Sequence, residues 1–394
     1  MRILFILSRF PFPLEKGDKL RAYHFIKSLS ARHEITVFAL SDRKVKPEEL
    51  KKVQEICHRV EVFRLSRFSI FTGILRSLFG KLPLQVGYFY SAQAMRALRQ
   101  LAGEIKPERL FCQLVRTAEY AKAIDIESKT LDYMDAFSKG VERRMIQAPF
   151  FLRPALYFEY KKLEAYERDV FDSFKNKIII SAQDRTFINH PQRDKINVIT
   201  NGIDTAYFSP PPLNDATAKN QKEFDILFIG NMNYLPNIEG AEYLVQKVLP
   251  IVTKKYGSVR TLIAGANPSH RIKKLANPNV IVRGWVEDVR ENFYRSGMLV
   301  APMFLSIGLQ NKLMEAMAMK LPCITSTRAN NALGALNGKS ILIADTPEEF
   351  ARQIIYLLEN KKQANELAVE GYNFVQQNHN WQTESRSLEK LIMQ

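Results

Sequence analysis

The residue types best suited to chemistry lie in one stretch of the second half of the chain, Leu305–Thr325. It passes through a loop at Gly308 and then shows a helical pattern that ends before Pro322. Lys312 and Glu315 are three residues apart, so they are neighbours on one helical face. A lysine can neutralise a phosphate, and a carboxylate can accept two hydrogen bonds from a ribose diol. The spacing predicts a nucleotide-sugar site, and an ordinary ion pair in the first helical turn explains it equally well.

Backbone groups add to this predicted site, because residues 306–311 enter the helix and can present free N–H groups to a diphosphate.

A second candidate anion site follows the first apolar run of the chain. There Gly17 permits an unusual backbone angle, Asp18 can cap the next helix, and Lys19 and Arg21 lie alongside. The alternative is a routine strand-to-helix loop with solvated charges. The loop at Gly17 has neither the glycine fingerprint of dinucleotide oxidoreductases nor the P-loop pattern.

The elements that position these residues follow an α/β rhythm, in which short aliphatic runs alternate with helical patterns. One long charged helix is expected near residues 140–175. Three prolines at 210–212 and the polar stretch after them mark a boundary, beyond which the rhythm restarts. We therefore predict two doubly wound, Rossmann-like parallel-sheet domains that face a cleft, with ligands beyond the carboxyl ends of the strands. The expected domains are residues 1–205 and 223–378, with a linker at 206–222 and a terminal helix at 379–394 that crosses back to the first domain.

Composition limits the function classes. The 394 residues carry 57 Lys and Arg against 41 Asp and Glu, a net charge of +16. Most of the excess lies in the first half, which suggests an anionic partner there. Three separated cysteines exclude a disulfide scaffold, and the apolar start is too short for a signal peptide. We expect a cytoplasmic protein that can lie at the inner face of the cytoplasmic membrane.

The stretch Gln310–Met319 with Pro322 resembles the donor-binding segment of GT-B glycosyltransferases of the retaining family 4, also called glycosyltransferase group 1. Gly17–His24, Val198–Asp204 and Phe228–Asn237 are similar to further segments of that family, in the same order. With Asp132–Ser138, the chain looks closest to the sugar transferases associated with the exosortase/PEP-CTERM exopolysaccharide system. The resemblance implies a GT-B fold with the donor on the C-terminal domain, at Gly230, Asn231, Asn233, Gly284, Trp285, Val286, Ser306, Gly308, Leu309, Gln310, Asn311, Lys312 and Glu315.

The resemblance also implies transfer of a sugar, with retention, from a UDP- or GDP-sugar to a saccharide or lipid-linked saccharide in exopolysaccharide assembly. Lys312, Glu315 and Asp135 are the expected catalytic residues, and the acceptor or its phosphate is expected near Gly17, Lys19, Arg21 and His24. Two departures from the family stand out: Ile307 occupies the position of the usual first glutamate, and the loop after Phe228 lacks the usual Arg and Lys. Since no metal-ligand spacing is found, we expect transfer without a metal or other cofactor.

Six aromatic and six basic side chains are interleaved in the segment that follows Phe63; the aromatic ones are Phe68, Phe71, Phe79, Tyr88, Phe89 and Tyr90, and the basic ones are Arg64, Arg67, Arg76, Lys81, Arg96 and Arg99. This segment predicts either contact with an anionic membrane or helices that pack their aromatic residues into the first domain. Nucleic acid is not an expected partner. The alternatives for the whole chain are a sugar-nucleotide epimerase of GT-B-like fold, which would turn over the donor without an acceptor, and a non-catalytic basic binding or scaffold protein.

Overall fold

The computed structural model describes residues 1–14, 16–210, 222–305 and 309–394. The chain divides into two compact units, an N-terminal unit of residues 1–201 with 381–394 and a C-terminal unit of residues 202–380. The expected boundaries were at 205 and 379. Most of the expected linker, at 211–221, lies outside the described residues.

The N-terminal unit is built on a seven-stranded parallel sheet of order β3-β2-β1-β4-β5-β6-β7. Nearly every residue of the central strands is apolar and buried, because helices cover both faces of the sheet. Its strands are β1 (Arg2–Leu7), β2 (Glu34–Ser41), β3 (Arg59–Arg64), β4 (Arg109–Gln113), β5 (Lys129–Asp132), β6 (Asn176–Ile179) and β7 (Asn197–Val198).

The helices of this unit correct one expectation. The long charged helix predicted near residues 140–175 is two helices, because Pro149 forces the preceding Ala148 into an extended conformation. A one-turn 3-10 helix, Phe150–Leu152, connects them. The helices are α1 (Gly17–Leu29), α2 (Pro47–Gln54), α3 (Arg67–Phe79), α4 (Leu84–Phe89), α5 (Ala92–Ile105), α6 (Ala118–Lys122), α7 (Phe137–Gln147), α8 (Arg153–Asp169) and α9 (Ala182–Phe187).

The C-terminal unit has a six-stranded parallel sheet of order β10-β9-β8-β11-β12-β13. The order reverses direction at β8, so the loops after β8 and β11 diverge and leave a crevice at that edge. The strands are β8 (Phe224–Ile229), β9 (Thr261–Ala264), β10 (Val280–Arg283), β11 (Ser296–Ala301), β12 (Cys323–Thr325) and β13 (Leu342–Ile343). The α-helices are α10 (Leu235–Tyr243), α11 (Leu249–Tyr256), α12 (His270–Lys273), α13 (Arg290–Tyr294), α14 (Asn311–Ala318), α15 (Thr327–Leu333), α16 (Pro347–Glu359) and α17 (Lys361–Asn378).

The last helix, α18 (Trp381–Met393), is part of the N-terminal unit. The Trp381 ring stacks on His24 of α1 with centroids 4.7 Å apart, and the Glu384 carboxylate accepts hydrogen bonds from the backbone N–H and hydroxyl of Thr200, both at 3.0 Å. The chain therefore returns to its first domain at its end. Within the described ranges, no helix combines the length and apolar character needed to cross a bilayer.

Candidate functional site

In the C-terminal unit, the loops after β8, β9 and β10 meet at the carboxyl edge of the sheet. The Gly230 N–H donates to the Ala264 carbonyl at 3.1 Å, and the Gly265 N–H donates to the Arg283 carbonyl at 3.1 Å. Gly265 has a φ of +147°, and a Cβ there would lie 1.7 Å from the Gly230 oxygen. Only glycine fits this position, so the loops approach each other more closely than side chains would allow.

Lys312 projects from α14 into this edge of the sheet. Its side chain is buried, and its Nζ donates to the Asn237 Oδ1 at 2.5 Å and lies 5.0 Å from the centroid of the Phe228 ring. No carboxylate of the described residues lies within 4.0 Å of this ammonium group. Its Nζ also lies 3.5 Å from the Met303 sulfur. The amino group of Lys312 is therefore buried with neutral hydrogen-bonding partners, so no neighbouring carboxylate fixes its positive charge.

Glu315 lies one turn further along α14 and is half-buried. Burial lowers the pKa of Lys312 to about 7, and the Glu315 carboxylate opposes this shift. Burial also raises the pKa of Glu315 to about 7, opposed by Lys312. Neither group has a fixed charge near neutrality in the empty site, so a ligand that pairs with either one can set its charge.

The start of α14 has no side-chain cap among the described residues. Gln310 is the N-cap residue, and its side chain makes no capping hydrogen bond. Leu309, Gln310 and Asn311 are half-buried beside it. An uncapped helix start of this kind presents N–H groups to an anion. Ser306 and Gly308, which the sequence also assigned to the donor, lie outside the described residues.

The remaining donor candidates line the loops after β8 and β10. Asn231 and Asn233 are exposed, and the Asn233 N–H donates to the Asn231 Oδ1 at 3.1 Å. Gly284 and Val286 are half-buried, whereas Trp285 between them is 73% exposed. An exposed indole offers a flat apolar face, which suits stacking against a planar ring.

Asn237 is the residue of this site that the sequence reasoning missed. It is a buried amide in the first turn of α10, and its Nδ2 donates to the Asn231 carbonyl at 3.0 Å while its Oδ1 accepts from Lys312. It therefore ties the loop after β8 to α14. The available signal was a polar residue inside the apolar start of a helix, although its partner lies 75 residues away.

The structure corrects the predicted role of Arg21 in the N-terminal unit. The sequence assigned it to the acceptor or phosphate side, but the structure buries it completely. Its Nε donates to an Asp132 oxygen at 2.7 Å, and its Nη1 donates to the Thr200 carbonyl and the Asn201 Oδ1, both at 3.1 Å. The guanidinium has no solvent-facing surface, so it links α1 to β5 and to the end of the unit rather than meeting a ligand.

The other predicted acceptor residues surround Arg21. Asp18 does not cap α1, since Lys16 is the N-cap residue and the Asp18 carboxylate pairs with Arg9 at 2.8 Å. Lys19 is buried, and His24 is buried against Trp381. Gly17 is half-buried at the start of the helix. Of the four predicted acceptor residues, Gly17 is therefore the most exposed, because Lys19, Arg21 and His24 are all buried.

Asp135, the third predicted catalytic residue, follows β5 in the N-terminal unit. Its side chain keeps access to solvent, yet the surrounding protein raises its pKa to about 7 and the Asp184 carboxylate adds to the shift. Nearby, Leu114 and Met134 have φ values of +65° and +62°. Such backbone strain in bulky residues is concentrated at functional edges. In the described ranges, no three His, Cys, Asp or Glu side chains gather as a metal site.

Residues 223–360 match the family model described as glycosyl transferases group 1. The chain is similar to an uncharacterized 44.6 kDa protein in the cps region of Klebsiella pneumoniae, with 21% identity over 406 residues and 96% of both chains covered. That match extends over both units.

Solved structures share the fold. A sucrose-phosphate synthase from Thermosynechococcus elongatus has a TM-score of 0.69 at 12% identity, with 99% of this chain and 98% of that chain covered. HepE from Anabaena, determined with UDP, has a TM-score of 0.67 at 13% identity, with 99% of both chains covered; it has also been determined with UDP-glucose. The two parallel-sheet domains are thus a GT-B fold. The C-terminal unit matches the glycosyl transferases group 1 model, and the protein is a transferase enzyme.

Proposed function

We propose that the protein transfers a sugar from a UDP- or GDP-sugar to a saccharide or lipid-linked saccharide in exopolysaccharide assembly. In this proposal the anomeric configuration is retained, and the reaction needs no metal or other cofactor. The group 1 domain supports the nucleotide-sugar donor, as does the UDP in the structure of Anabaena HepE. The cps-region relative supports the polysaccharide setting. A family 4 transferase of the exosortase/PEP-CTERM type remains part of the same proposal.

The observation that carries the proposal is the buried ammonium of Lys312 beside an uncapped helix start. Asn237 holds this ammonium group in place at 2.5 Å without neutralising it. A diphosphate seated at the start of α14 would receive backbone N–H donors and one cation. Glu315, one turn away, would accept hydrogen bonds from the ribose hydroxyl groups.

This arrangement supports catalysis by charge stabilisation. When the bond between the sugar and the diphosphate breaks, negative charge develops on the leaving phosphate oxygen. Fixed N–H groups and Lys312 stabilise that charge without reorganising, which is how preorganised sites lower a barrier. With this positive charge supplied by the protein, a divalent metal ion is not required in the proposed mechanism.

On the N-terminal unit, we assign acceptor binding to the strained loops around Asp135. A carboxyl group with a pKa of about 7 can accept a hydrogen bond from a sugar hydroxyl group and take up its proton at neutral pH. Gly17 and Lys19 stay with this proposed acceptor side, whereas Arg21 and His24 serve it only by holding α1 in place.

Contact with an anionic membrane belongs to the same proposal. Four apolar side chains at helical spacing form an exposed stripe on α3: Phe68, Phe71, Leu75 and Leu78. Four basic residues lie on or next to this helix: Arg64, Arg67, Arg76 and Lys81. An amphipathic helix of this type lies flat in a lipid interface. We expect co-sedimentation with phosphatidylglycerol vesicles but not with phosphatidylcholine vesicles, and equal binding to both would contradict the electrostatic part.

The function is tested by incubating the protein with UDP-, GDP- and dTDP-sugars and a lipid extract, with and without EDTA. We expect one donor to be consumed only when acceptor is present, EDTA to have no effect, and NMR of the product to show a retained anomeric centre. Donor consumption without acceptor would favour an epimerase, and the absence of nucleotide binding would overturn the donor site.

A further inference from the structure

Asn237 is a buried polar residue in the first turn of α10. Asparagine is a poor helix former, because its amide competes with the backbone for hydrogen bonds. A buried amide also costs stability unless its donor and its acceptor both find partners. Packing alone therefore does not explain an asparagine at this position, and the partners of the amide are the informative feature.

The two ends of the Asn237 amide have partners of opposite kinds. Its Nδ2 donates to the Asn231 carbonyl at 3.0 Å, and its Oδ1 accepts from the Lys312 ammonium at 2.5 Å. A carbonyl only accepts and an ammonium group only donates, so one orientation of the amide serves both partners. An aspartate of the same shape would turn an oxygen toward the Asn231 carbonyl and would form an ion pair with Lys312.

The backbone at Gly230 leaves the space that this amide occupies. A Cβ at Gly230 would lie 2.7 Å from the Asn237 Nδ2 and 2.9 Å from its Cγ. Nonbonded atoms do not approach so closely in a packed interior, so a larger residue at Gly230 would displace the amide. The loop after β8 is therefore shaped around the position of the Asn237 side chain.

The other neighbours of the Lys312 ammonium are neutral as well. Its Nζ lies 3.5 Å from the sulfur of Met303, which follows β11, and 5.0 Å from the centroid of the Phe228 ring on β8. Glu315, one turn along α14, is the charged group of the described residues that acts on this ammonium. The charge of Lys312 therefore depends on burial, on the Asn237 amide and on Glu315.

A neutral partner suits a cation that has to bind and release a diphosphate. A carboxylate paired with Lys312 would compete with the diphosphate and repel it. With no acceptor at all, burial would favour the uncharged amine, which attracts an anion less. The Asn237 amide lies between these two cases, because it stabilises the ammonium and does not compensate its charge.

We propose that Asn237 is a positioning residue of the donor site, which holds Lys312 against the loop after β8 and keeps it without a counter-ion until a diphosphate binds. A proton from the solvent then accompanies the diphosphate onto Lys312 and leaves with it. This inference rests on the proposed donor site, for which it names the residue that controls the cation.

The test measures binding of UDP and of uridine by calorimetry between pH 6 and pH 9, in the wild type and in Asn237→Asp. The new carboxylate pairs with Lys312, so UDP should bind about tenfold more weakly at pH 7. Its affinity should then stay constant up to pH 9, whereas the wild-type affinity falls. Uridine, which has no phosphate, should bind equally to both proteins. Asn373→Asp makes the same change at an exposed position of α17 and should behave as the wild type.

A second measurement follows Lys312 without any ligand. In protein isotope-labelled at the lysine Cε atoms, NMR titration of Asn237→Asp should show the midpoint of Lys312 about one pH unit or more above that of the wild type. The signal of Lys312 is the one that disappears in Lys312→Met. A merely structural role of Asn237 in the loop would not move this midpoint upward.

Several results would overturn the proposal. If folded Asn237→Asp keeps the wild-type titration of Lys312, or binds UDP more weakly with an unchanged slope against pH, Asn237 does not control the cation. If Asn237→Asp does not fold, Asn237→Ala replaces it. Its Lys312 lacks an acceptor, so UDP affinity should begin to fall at a lower pH than in the wild type, and an unchanged profile would contradict the proposal. Absence of UDP binding by the wild type would instead overturn the donor site, and this outcome is distinct from a failure of Asn237 alone.

Discussion

The two units each place a cation near the start of a helix that follows a strand, and they use it in opposite ways. Arg21 on α1 is surrounded by a carboxylate, an amide oxygen and a carbonyl, so its charge is compensated and four of its five N–H donors are used within the protein. Lys312 on α14 has a neutral amide as its hydrogen-bonding partner. Both cations follow a strand, so this position does not determine their role. The hydrogen-bonding partners of each cation determine whether it stabilises the fold or is available to bind a ligand.

The difference has an energetic basis. A buried ion pair with all its hydrogen bonds made is costly to break, because removing one partner leaves the other charge buried. A buried cation with no counter-ion instead shifts its pKa toward neutrality, and such shifts are concentrated at functional sites. Arg21 should therefore control stability and Lys312 should control ligand binding. Each prediction below separates these two roles.

The largest expected effect is on stability. Arg21→Met should lower the free energy of unfolding by about 3–5 kcal/mol, because Asp132 is left buried without its partner. Urea denaturation followed by circular dichroism measures this loss. Arg32→Met is the matched control: it removes an arginine that is half-exposed in its pair with Glu389, so it should cost at most about 1 kcal/mol. Equal losses for the two variants would contradict the structural role of Arg21.

The second effect is on the pH dependence of donor binding. The pKa of Lys312 is about 7 in the empty site, and a bound diphosphate raises it, so binding takes up a proton above pH 7. Affinity for UDP should therefore fall by up to tenfold per pH unit between pH 7 and pH 9. Glu315, whose pKa is also about 7, loses its proton in the lower part of this range. Calorimetry at several pH values tests this, and a flat profile would contradict the proton uptake.

A smaller effect is expected from Glu315→Gln. This change keeps the shape of the side chain but replaces a charged acceptor with a neutral one, which should weaken UDP binding about tenfold. Binding of inorganic pyrophosphate should not weaken, because it has no ribose. A matching loss for pyrophosphate would show that Glu315 acts through Lys312 rather than on the sugar of the nucleotide.

Most of the fold could be predicted from the sequence. The aliphatic runs that became β1, β2, β8 and β9 are short and mostly apolar, which is typical of strands covered on both faces. The predicted GT-B fold is confirmed by the structure and its neighbours. The prediction of one long helix near residues 140–175 was wrong, because Pro149 interrupts an otherwise helical pattern.

The site was less predictable, because its decisive contacts join distant segments. Arg21 meets Asp132 across 111 residues, and Lys312 meets Asn237 across 75 residues. Helical spacing indicates that Lys312 and Glu315 share a face, but it does not indicate which partner a cation will find. The roles of the predicted donor, acceptor and catalytic residues remain predictions.

The most direct test of the donor site compares UDP with uridine in the wild-type protein and in Lys312→Met at pH 7. We predict that Lys312→Met weakens UDP binding at least tenfold and leaves uridine binding unchanged, since uridine has no phosphate. Lys254→Met, at an exposed lysine of α11, should change neither. Equal affinities for UDP in Lys312→Met and wild type would contradict the role of this buried ammonium.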